Sequence, residues 1–252
     1  MTDITLITGA SAGLGVDFAR ACAARGERVL IVARRKERLD ALAAELGNAR
    51  AVAIDLGEEG AAGRLMADIA AHGERVTCLI NNAGFGLAGR FASLDGARQR
   101  GMIDLNCAVL TELAHAVLPG MIAAQAGKIL NVASTAAFQP GPGMAVYFAT
   151  KAFVLSLSEA LHEEVRQHGV KVTALCPGPT ATEFGAVAGW RGNPMIDRLS
   201  ARPEEVVRAG LDALDKGQAV AIPGLVNKAG AQGHRLLPRW LLRKVTGSIK
   251  LD

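Results

Sequence analysis

The segment Met144–Phe153, MAVYFATKAF, carries the only tyrosine of the chain, Tyr147, four residues before Lys151. A free phenol titrates near pH 10 and is a poor base at neutral pH, on the order of three units away from usefulness. In a helix, positions i and i+4 share a face, so Lys151 stands beside the ring. A neighbouring ammonium favours the phenolate and lowers the phenol's pKa. Bringing it from about 10 to about 7 takes roughly 4 kcal/mol of differential stabilisation. So tuned, with a midpoint well below 10, the phenol protonates a carbonyl oxygen or deprotonates an alcohol. The plainer alternative is a core ring with a satisfied hydroxyl and an unrelated surface amine. What the rest of the chain builds around the pair decides between them.

Seven short β-rich runs, at 4–8, 28–33, 50–55, 77–82, 128–134, 171–177 and 219–224, alternate with stretches of helical spacing. In KERLDALAAEL, for example, Leu39, Leu42 and Leu46 fall on one helix face. The runs are apolar at successive positions, which marks strands covered on both sides. Alternating β and α elements predict a parallel sheet with helices on both faces. After the first run comes TGASAGLG, in which Gly9, Gly13 and Gly15 open a helix. Glycine lets the backbone turn sharply and approach a diphosphate, to which a helix N-terminus offers free N–H groups and partial positive charge. A ligand-free turn is the competing reading, and the spacing differs from G-x-G-x-x-G in having three residues between the first two glycines.

At 252 residues, half of them hydrophobic, the chain can bury one sizeable core. A net charge of +4 without a long Lys/Arg stripe argues against a nucleic-acid partner. The N-terminus enters a strand at once, with no charged lead, and no signal peptide is expected. No uncharged apolar run reaches membrane-spanning length, so no transmembrane helix is expected. Cys22, Cys78, Cys107 and Cys176 sit far apart in apolar runs. They read as free thiols in a reducing cytoplasm, not as disulfides or metal ligands.

TGASAGLG, then NNAG (81–84), Asn106, Ser134 and YFATK (147–151), in that order, resemble the short-chain dehydrogenase/reductase family in its roughly 250-residue oxidoreductase form. The resemblance covers about residues 4–185. It implies an α/β fold, a Rossmann-type doubly wound parallel sheet of about seven strands, as one domain over residues 1–226. It also implies hydride exchange with a nicotinamide cofactor, whose oxidised, positive ring would add to the pull of Lys151 on Tyr147. Ser134, at a strand end where open α/β sheets bind ligands, would hold the substrate carbonyl for Tyr147. Asn106, a polar amide on an apolar helix that costs stability unless paired, would bend its helix and hold a water of a proton relay beside Lys151. Asn81 would brace neighbouring strands. Cofactor contacts fall by resemblance on Gly9, Ser11, Gly13, Leu14, Gly15, Asp55, Leu56, Asn82, Ala83, Gly84, Tyr147, Lys151, Pro177, Gly178, Thr180 and Thr182.

The end of the second run sets the cofactor. NAD-selective chains carry an acid there for the ribose 2′-OH; this one has Ala33 followed by Arg34 and Arg35. Two guanidinium groups suit a 2′-phosphate, and cations at a helix N-terminus are misplaced unless an anion binds there. NADP(H) is therefore expected over NAD, although Ala12 stands where some NADP-using members place a further basic residue.

Phe85, Phe138, Met144, Phe184 and Trp190 mark an apolar substrate pocket, with Leu87, Val187 and Met195 beside them. The glycine-rich stretch 183–195 reads as a mobile lid. These suggest a small hydrophobic ketone or aldehyde, reduced reversibly to its alcohol. Residues 227–252 form a basic amphipathic segment, RLLPRWLLRKV at its centre. It is expected to pack, with its leucines and Trp240 buried, on the same domain or a partner subunit rather than on a membrane. A homodimer or homotetramer through helices at 98–123 and 148–168 is implied by the resemblance. Two alternatives stand beside the reductase: a catalytically silent NADP(H)-binding regulatory or scaffold protein, and a membrane-surface lipid carbonyl reductase.

Overall fold

The structure is a computed structural model that describes residues 1–189, 200–233 and 238–247. Seven strands form one sheet: β1 Thr2–Thr8, β2 Val29–Ala33, β3 Ala49–Ala53, β4 Glu74–Asn81, β5 Gly127–Val132, β6 Val170–Leu175 and β7 Val220–Ala221. All neighbours are parallel, in the order β3-β2-β1-β4-β5-β6-β7. The order reverses between β1 and β4, and that switch point is where open α/β sheets bind ligands. β7 is shorter than the run 219–224 suggested; Pro223 has no N–H to donate to a ladder.

Helices cover both faces. On one side α1 (Leu14–Ala24), α2 (Lys36–Leu46) and α8 (Pro203–Asp215) bury Phe18, Cys22, Leu39, Leu42, Val206 and Leu211 against the strands. On the other, α3 (Ala61–Ala71), α5 (Leu110–Ala123) and α6 (Ala145–Val165) bury Leu65, Ile69, Leu113, Val117 and Val165. Burial from two directions explains why the strands read as continuous apolar runs.

The stretch Gly96–Ala123 is helical throughout: α4 (Gly96–Ile103), one π-helical turn (Asp104–Val109), then α5. By length and apolarity alone it could cross a membrane. Here it is a core helix, with Leu110, Leu113, Ala114, Val117 and Met121 buried. The short α7 (Phe184–Ala188) follows β6, and α9 (Leu225–Gly233) and α10 (Arg239–Gly247) close the described chain. α10 buries Leu242 and Thr246, but Trp240 remains 55% exposed and Val245 49%. The expectation that Trp240 is buried therefore fails within one chain: the helix rests on its Leu242 face, and Trp240 lies outward, beneath the Lys244 ammonium at 5.5 Å.

Candidate active site

β5 ends at Val132, and two residues on Ser134 begins a 3₁₀ turn, Thr135–Phe138. The Ser134 hydroxyl caps that turn, accepting from the Ala136 N–H at 3.1 Å, and donates to the Pro177 carbonyl at 3.4 Å. The second turn of the site comes from α6. It presents Tyr147 and Lys151 on its inner face, both buried. The Lys151 Nζ donates to the Val132 carbonyl at 2.7 Å and lies 5.8 Å from the centre of the Tyr147 ring. Among the described residues it has no salt-bridge partner, and the Val132 carbonyl meets one of its donors.

Asn106 occupies the π-helical turn and is fully buried. The π turn opens the helix so that the amide faces inward. Its Oδ1 accepts from the Phe85 N–H at 3.1 Å, and its Nδ2 donates to the Phe85 carbonyl at 3.0 Å and to Thr150 Oγ1 at 3.1 Å. Thr150 in turn donates to the Tyr147 carbonyl at 2.7 Å. One amide thus joins the loop after β4 to the helix of Tyr147. A local π turn is a common device at functional sites.

The electrostatics add burial to the sequence reading. Burial pushes the Tyr147 phenol up to about 12, more than its hydrogen bond with Ser134 lowers it. Burial also draws the Lys151 ammonium down to about 8. The lysine therefore does not by itself bring the phenol below 10. Its ammonium is turned to Val132, and the ring packs against Phe184 at 5.3 Å and Phe148 at 6.1 Å. In such surroundings the neutral phenol is favoured.

The turn after β1 fits a dinucleotide. Gly9 and Gly13 have φ of +69° and +54°, a backbone open to glycine at little cost. A Cβ on Gly9 would meet Ala83 Cα and Asn82 Nδ2 at 2.9 Å, and one on Gly15 would run into the Gly9 carbonyl oxygen. Gly13 leads into α1, with Ser11 and Leu14 on either side of it. Asn82 clamps the turn from β4, donating to the carbonyls of Thr8 at 2.9 Å and Gly9 at 3.3 Å. A Cβ on Gly84 would lie 2.8 Å from Asn106 Oδ1 and 3.8 Å from Lys151 Nζ, so its bare backbone keeps the approach to the lysine open. Asn81 braces β4 to β5, donating to Asn131 Oδ1 at 3.0 Å.

The arginines after β2 are exposed, and each already has an anionic neighbour. Arg34 lies 3.5 Å from Asp55, whose other oxygen accepts from the Gly57 N–H at 2.9 Å. Arg35 donates to Ser11 Oγ at 3.1 Å and to the Ser11 carbonyl at 3.2 Å. Leu56, beside Asp55, is buried. After β6, Pro177 and Gly178 end the strand, and Asn227 of α9 packs where a Gly178 Cβ would be. Thr180 donates to the Gly178 carbonyl at 3.0 Å; Thr182 covers Gly13 and accepts from the Phe184 N–H at 3.3 Å.

Phe85, Leu87, Met144 and Phe184 gather with Tyr147 in one apolar cluster. Phe138 does not join it; it packs in the neighbouring cluster with Leu157, Val220 and Ile222. Val187 is exposed, and Trp190 and Met195 lie outside the described residues. Four contributors escaped the sequence reading. Thr8 Oγ1 accepts from the N–H groups of both Asn82 and Ala83 at 3.0 Å. A Cβ on Gly86 would stand 2.8 Å from the Phe184 ring and 3.3 Å from Tyr147. Arg38 and Glu183 join across the rim. Arg38 had a signal in sequence, as a third arginine close behind Arg34 and Arg35, and Gly86 and Glu183 fall within the stretches 85–89 and 183–195 that line the expected pocket, though neither stands out there singly.

A sequence profile described as short chain dehydrogenase matches residues 3–189. Sulfoacetaldehyde reductase 2 of Chromohalobacter salexigens is 40% identical over 192 residues, which are 74% of this chain and 76% of that protein. A short-chain dehydrogenase from Sphingobium yanoikuyae, solved in complex with NADPH, superposes with a TM-score of 0.83 at 34% identity, over 99% of this chain and 96% of that one. The bulky-bulky ketone specific alcohol dehydrogenase from Comamonas testosteroni gives 0.79 at 30% identity, over 99% and 95%. With seven parallel strands, a glycine-built turn at the switch point, and Ser134, Tyr147 and Lys151 converging beyond it, this chain belongs to the short-chain dehydrogenase family.

Proposed function

We propose that the protein is an NADP(H)-dependent oxidoreductase that interconverts a hydrophobic ketone or aldehyde and its alcohol, with Tyr147 as the proton donor. Its class, an oxidoreductase acting on alcohol and carbonyl groups, follows from the family. The observation that carries the finer reading is the buried convergence of Tyr147, Lys151 and Ser134 at the edge of an apolar cluster. NADP(H) supplies the hydride. Its diphosphate would lie against Gly9, Ser11, Gly13, Leu14 and Gly15, its ribose near Ala83, Gly84, Tyr147 and Lys151, and its 2′-phosphate at Arg34 and Arg35. The neutral phenol of Tyr147 donates its proton to the carbonyl oxygen, while the Ser134 hydroxyl holds that oxygen in place. Lys151 keeps a cation beside the ring as phenolate develops, and Asn106 fixes the loop and helix that frame them. Phe85, Met144 and Phe184 exclude water.

A silent NADP(H)-binding protein fits less well. Burying Lys151 far enough to draw it to about 8 is costly, and binding alone needs no such group. The test is carbonyl-dependent loss of NADPH absorbance across a panel of apolar ketones, aldehydes and polar controls. Turnover of none of them, with NADPH bound, would favour the silent reading.

A second reading rests on charge. Residues 1–215 hold 21 basic and 23 acidic side chains, whereas residues 216–252 hold seven basic and one acidic. In the described part, Lys228, Arg239, Arg243 and Lys244 accompany the exposed Leu225, Val226, Trp240 and Val245. That is the composition of a helix that lies on anionic lipid, and it suits a lipid carbonyl reductase at a membrane surface. Co-sedimentation with phosphatidylserine vesicles, lost on deleting residues 234–252, separates it from the soluble cytoplasmic enzyme. The outward face of α6, with Ala145, Ala149, Ala152, Phe153 and Ser156 exposed, suits a homodimer or homotetramer, which light scattering tests.

A further inference from the structure

Glu183 immediately precedes α7, whose first residue, Phe184, packs on Tyr147. Its carboxylate is the meeting point of the arginine rim. Arg38 Nη1 donates to both of its oxygens, at 3.1 and 3.2 Å, and Arg35 Nη1 stands 3.6 Å from Oε2. The same two arginines also hold the glycine-rich turn: Arg35 through Ser11 Oγ and carbonyl, and Arg38 through the Ser11 carbonyl at 3.4 Å. Three segments remote in sequence are therefore knotted through one carboxylate. The arginines hold the Glu183 acid below the usual carboxylate range, Arg38 contributing most.

The other end of the segment reaches the chemistry. Phe184 packs 5.3 Å from the Tyr147 ring, and the Ala188 carbonyl accepts from the Ala88 N–H at 2.8 Å. An acid placed among cations that must receive a phosphate is an unexpected choice. A carboxylate repels a phosphate dianion and claims the same forked donors. With Arg34 beside Asp55, no arginine of this rim is without an acidic neighbour among the described residues.

We propose that Glu183 is a specificity-determining residue that competes with the cofactor's 2′-phosphate for Arg35 and Arg38, so that the phosphate, on binding, takes over guanidinium donors that otherwise tether α7. This rests on the reading that the 2′-phosphate lies at the arginine rim. The phosphate offers more charge and more acceptor oxygens than the carboxylate, so it wins. It wins by less than it would if the arginines were unengaged, because their contacts with Glu183 are given up. A cofactor without the phosphate leaves the tether in place.

The experiment measures binding of 2′,5′-ADP and of ADP, which differ in the 2′-phosphate and lack the nicotinamide, by titration calorimetry on the full-length protein. Glu183→Gln keeps the side chain's size and removes its charge. It is expected to bind 2′,5′-ADP about threefold to tenfold more tightly than the parent, the scale of an exposed charge interaction, with ADP unchanged. Unchanged or weaker 2′,5′-ADP binding, or an equal gain for both ligands, overturns the proposal. The double variant Arg34→Ala/Arg35→Ala tests the underlying reading separately. If it binds 2′,5′-ADP as the parent does, the phosphate lies elsewhere. If it loses selectivity for 2′,5′-ADP while Glu183→Gln changes nothing, the rim stands and only the competition fails.

Discussion

Lys151 and Arg35 are cations of the same site, yet they are held by opposite means. Lys151 is 7% exposed and donates a hydrogen bond to one backbone carbonyl at 2.7 Å. The Arg35 side chain is 45% exposed and divides its donors between Ser11 and Glu183. Around Lys151 the polar groups are tied to main chain, through Val132, Phe85 and Pro177, and the lysine itself is buried. Around Arg35 the partners are mostly side chains that solvent can replace. A buried polar group is worth much because nothing else can satisfy it. An exposed one is tuned by its neighbours and screened by salt. The floor is thus fixed by its surroundings, and the rim is open to adjustment by its neighbours.

If that contrast is right, the largest effect belongs to the floor. Tyr147→Phe should lower turnover by roughly two to four orders of magnitude and leave NADPH affinity nearly unchanged, because the ring still packs on Phe184. Steady-state rates on an accepted ketone, beside a fluorescence titration of NADPH, measure both. A near-parental rate would make Tyr147 a core residue. Lys151→Ala should lose rate and cofactor affinity together.

The next effect is one of stability. The folded-state pKa of Lys151, about 8, lies below its ordinary value of 10.5. Well above pH 10.5 the lysine is neutral in both states and costs nothing; between 10.5 and 8 the unfolded chain takes up its proton while the folded chain does not, and the loss is complete below 8. Compared with Lys151→Met, the parent should therefore lose roughly 3 kcal/mol of relative stability between pH 10.5 and pH 7. Urea unfolding of both proteins at the two pH values reads this, and the lost bond to Val132 cancels in the difference. A pH-independent gap would mean that the ammonium is solvated.

Gly15→Ala probes the turn that joins floor to rim. Its Cβ would meet the Gly9 carbonyl oxygen, which is backbone and cannot swing aside. Weaker cofactor binding and a stability loss of about 1–3 kcal/mol are expected, again by titration and urea unfolding. The smallest effect should come from the rim. Arg34→Ala/Arg35→Ala should weaken NADPH binding by roughly tenfold, leave NADH binding unchanged, and flatten the dependence of NADPH affinity on salt. Equal losses for the two cofactors would erase the distinction between floor and rim.

What was legible in the sequence follows the same division. The sheet could be read because burial on both faces writes an uninterrupted apolar run, and the turn because only glycine serves at Gly9 and Gly15. Ser134, Tyr147 and Lys151 could be read because their types and order recur with a known chemistry. Thr8 and Gly86 were not, since their work is to hold or clear space for residues about 70 and 100 positions away, across the sheet and over the pocket. Glu183 was hidden for a related reason: nothing local in ATEFGAV indicates that its partners are Arg35 and Arg38. The enclosure of the phenol was not legible, because sequence showed the cation one turn away but not the depth of burial, which acts in the other direction.

Tyr147 is the single tyrosine of the chain and is almost wholly enclosed. A phenolate absorbs at longer near-ultraviolet wavelength than a phenol, and neither tryptophan ionises, so the protein reports the charge of its proposed proton donor spectroscopically. In an alkaline difference titration the long-wavelength change comes from this one residue, with no label, above the constant absorbance of the two tryptophans. Repeated with each nucleotide bound, it shows how far each moves that one proton, before any substrate has been found.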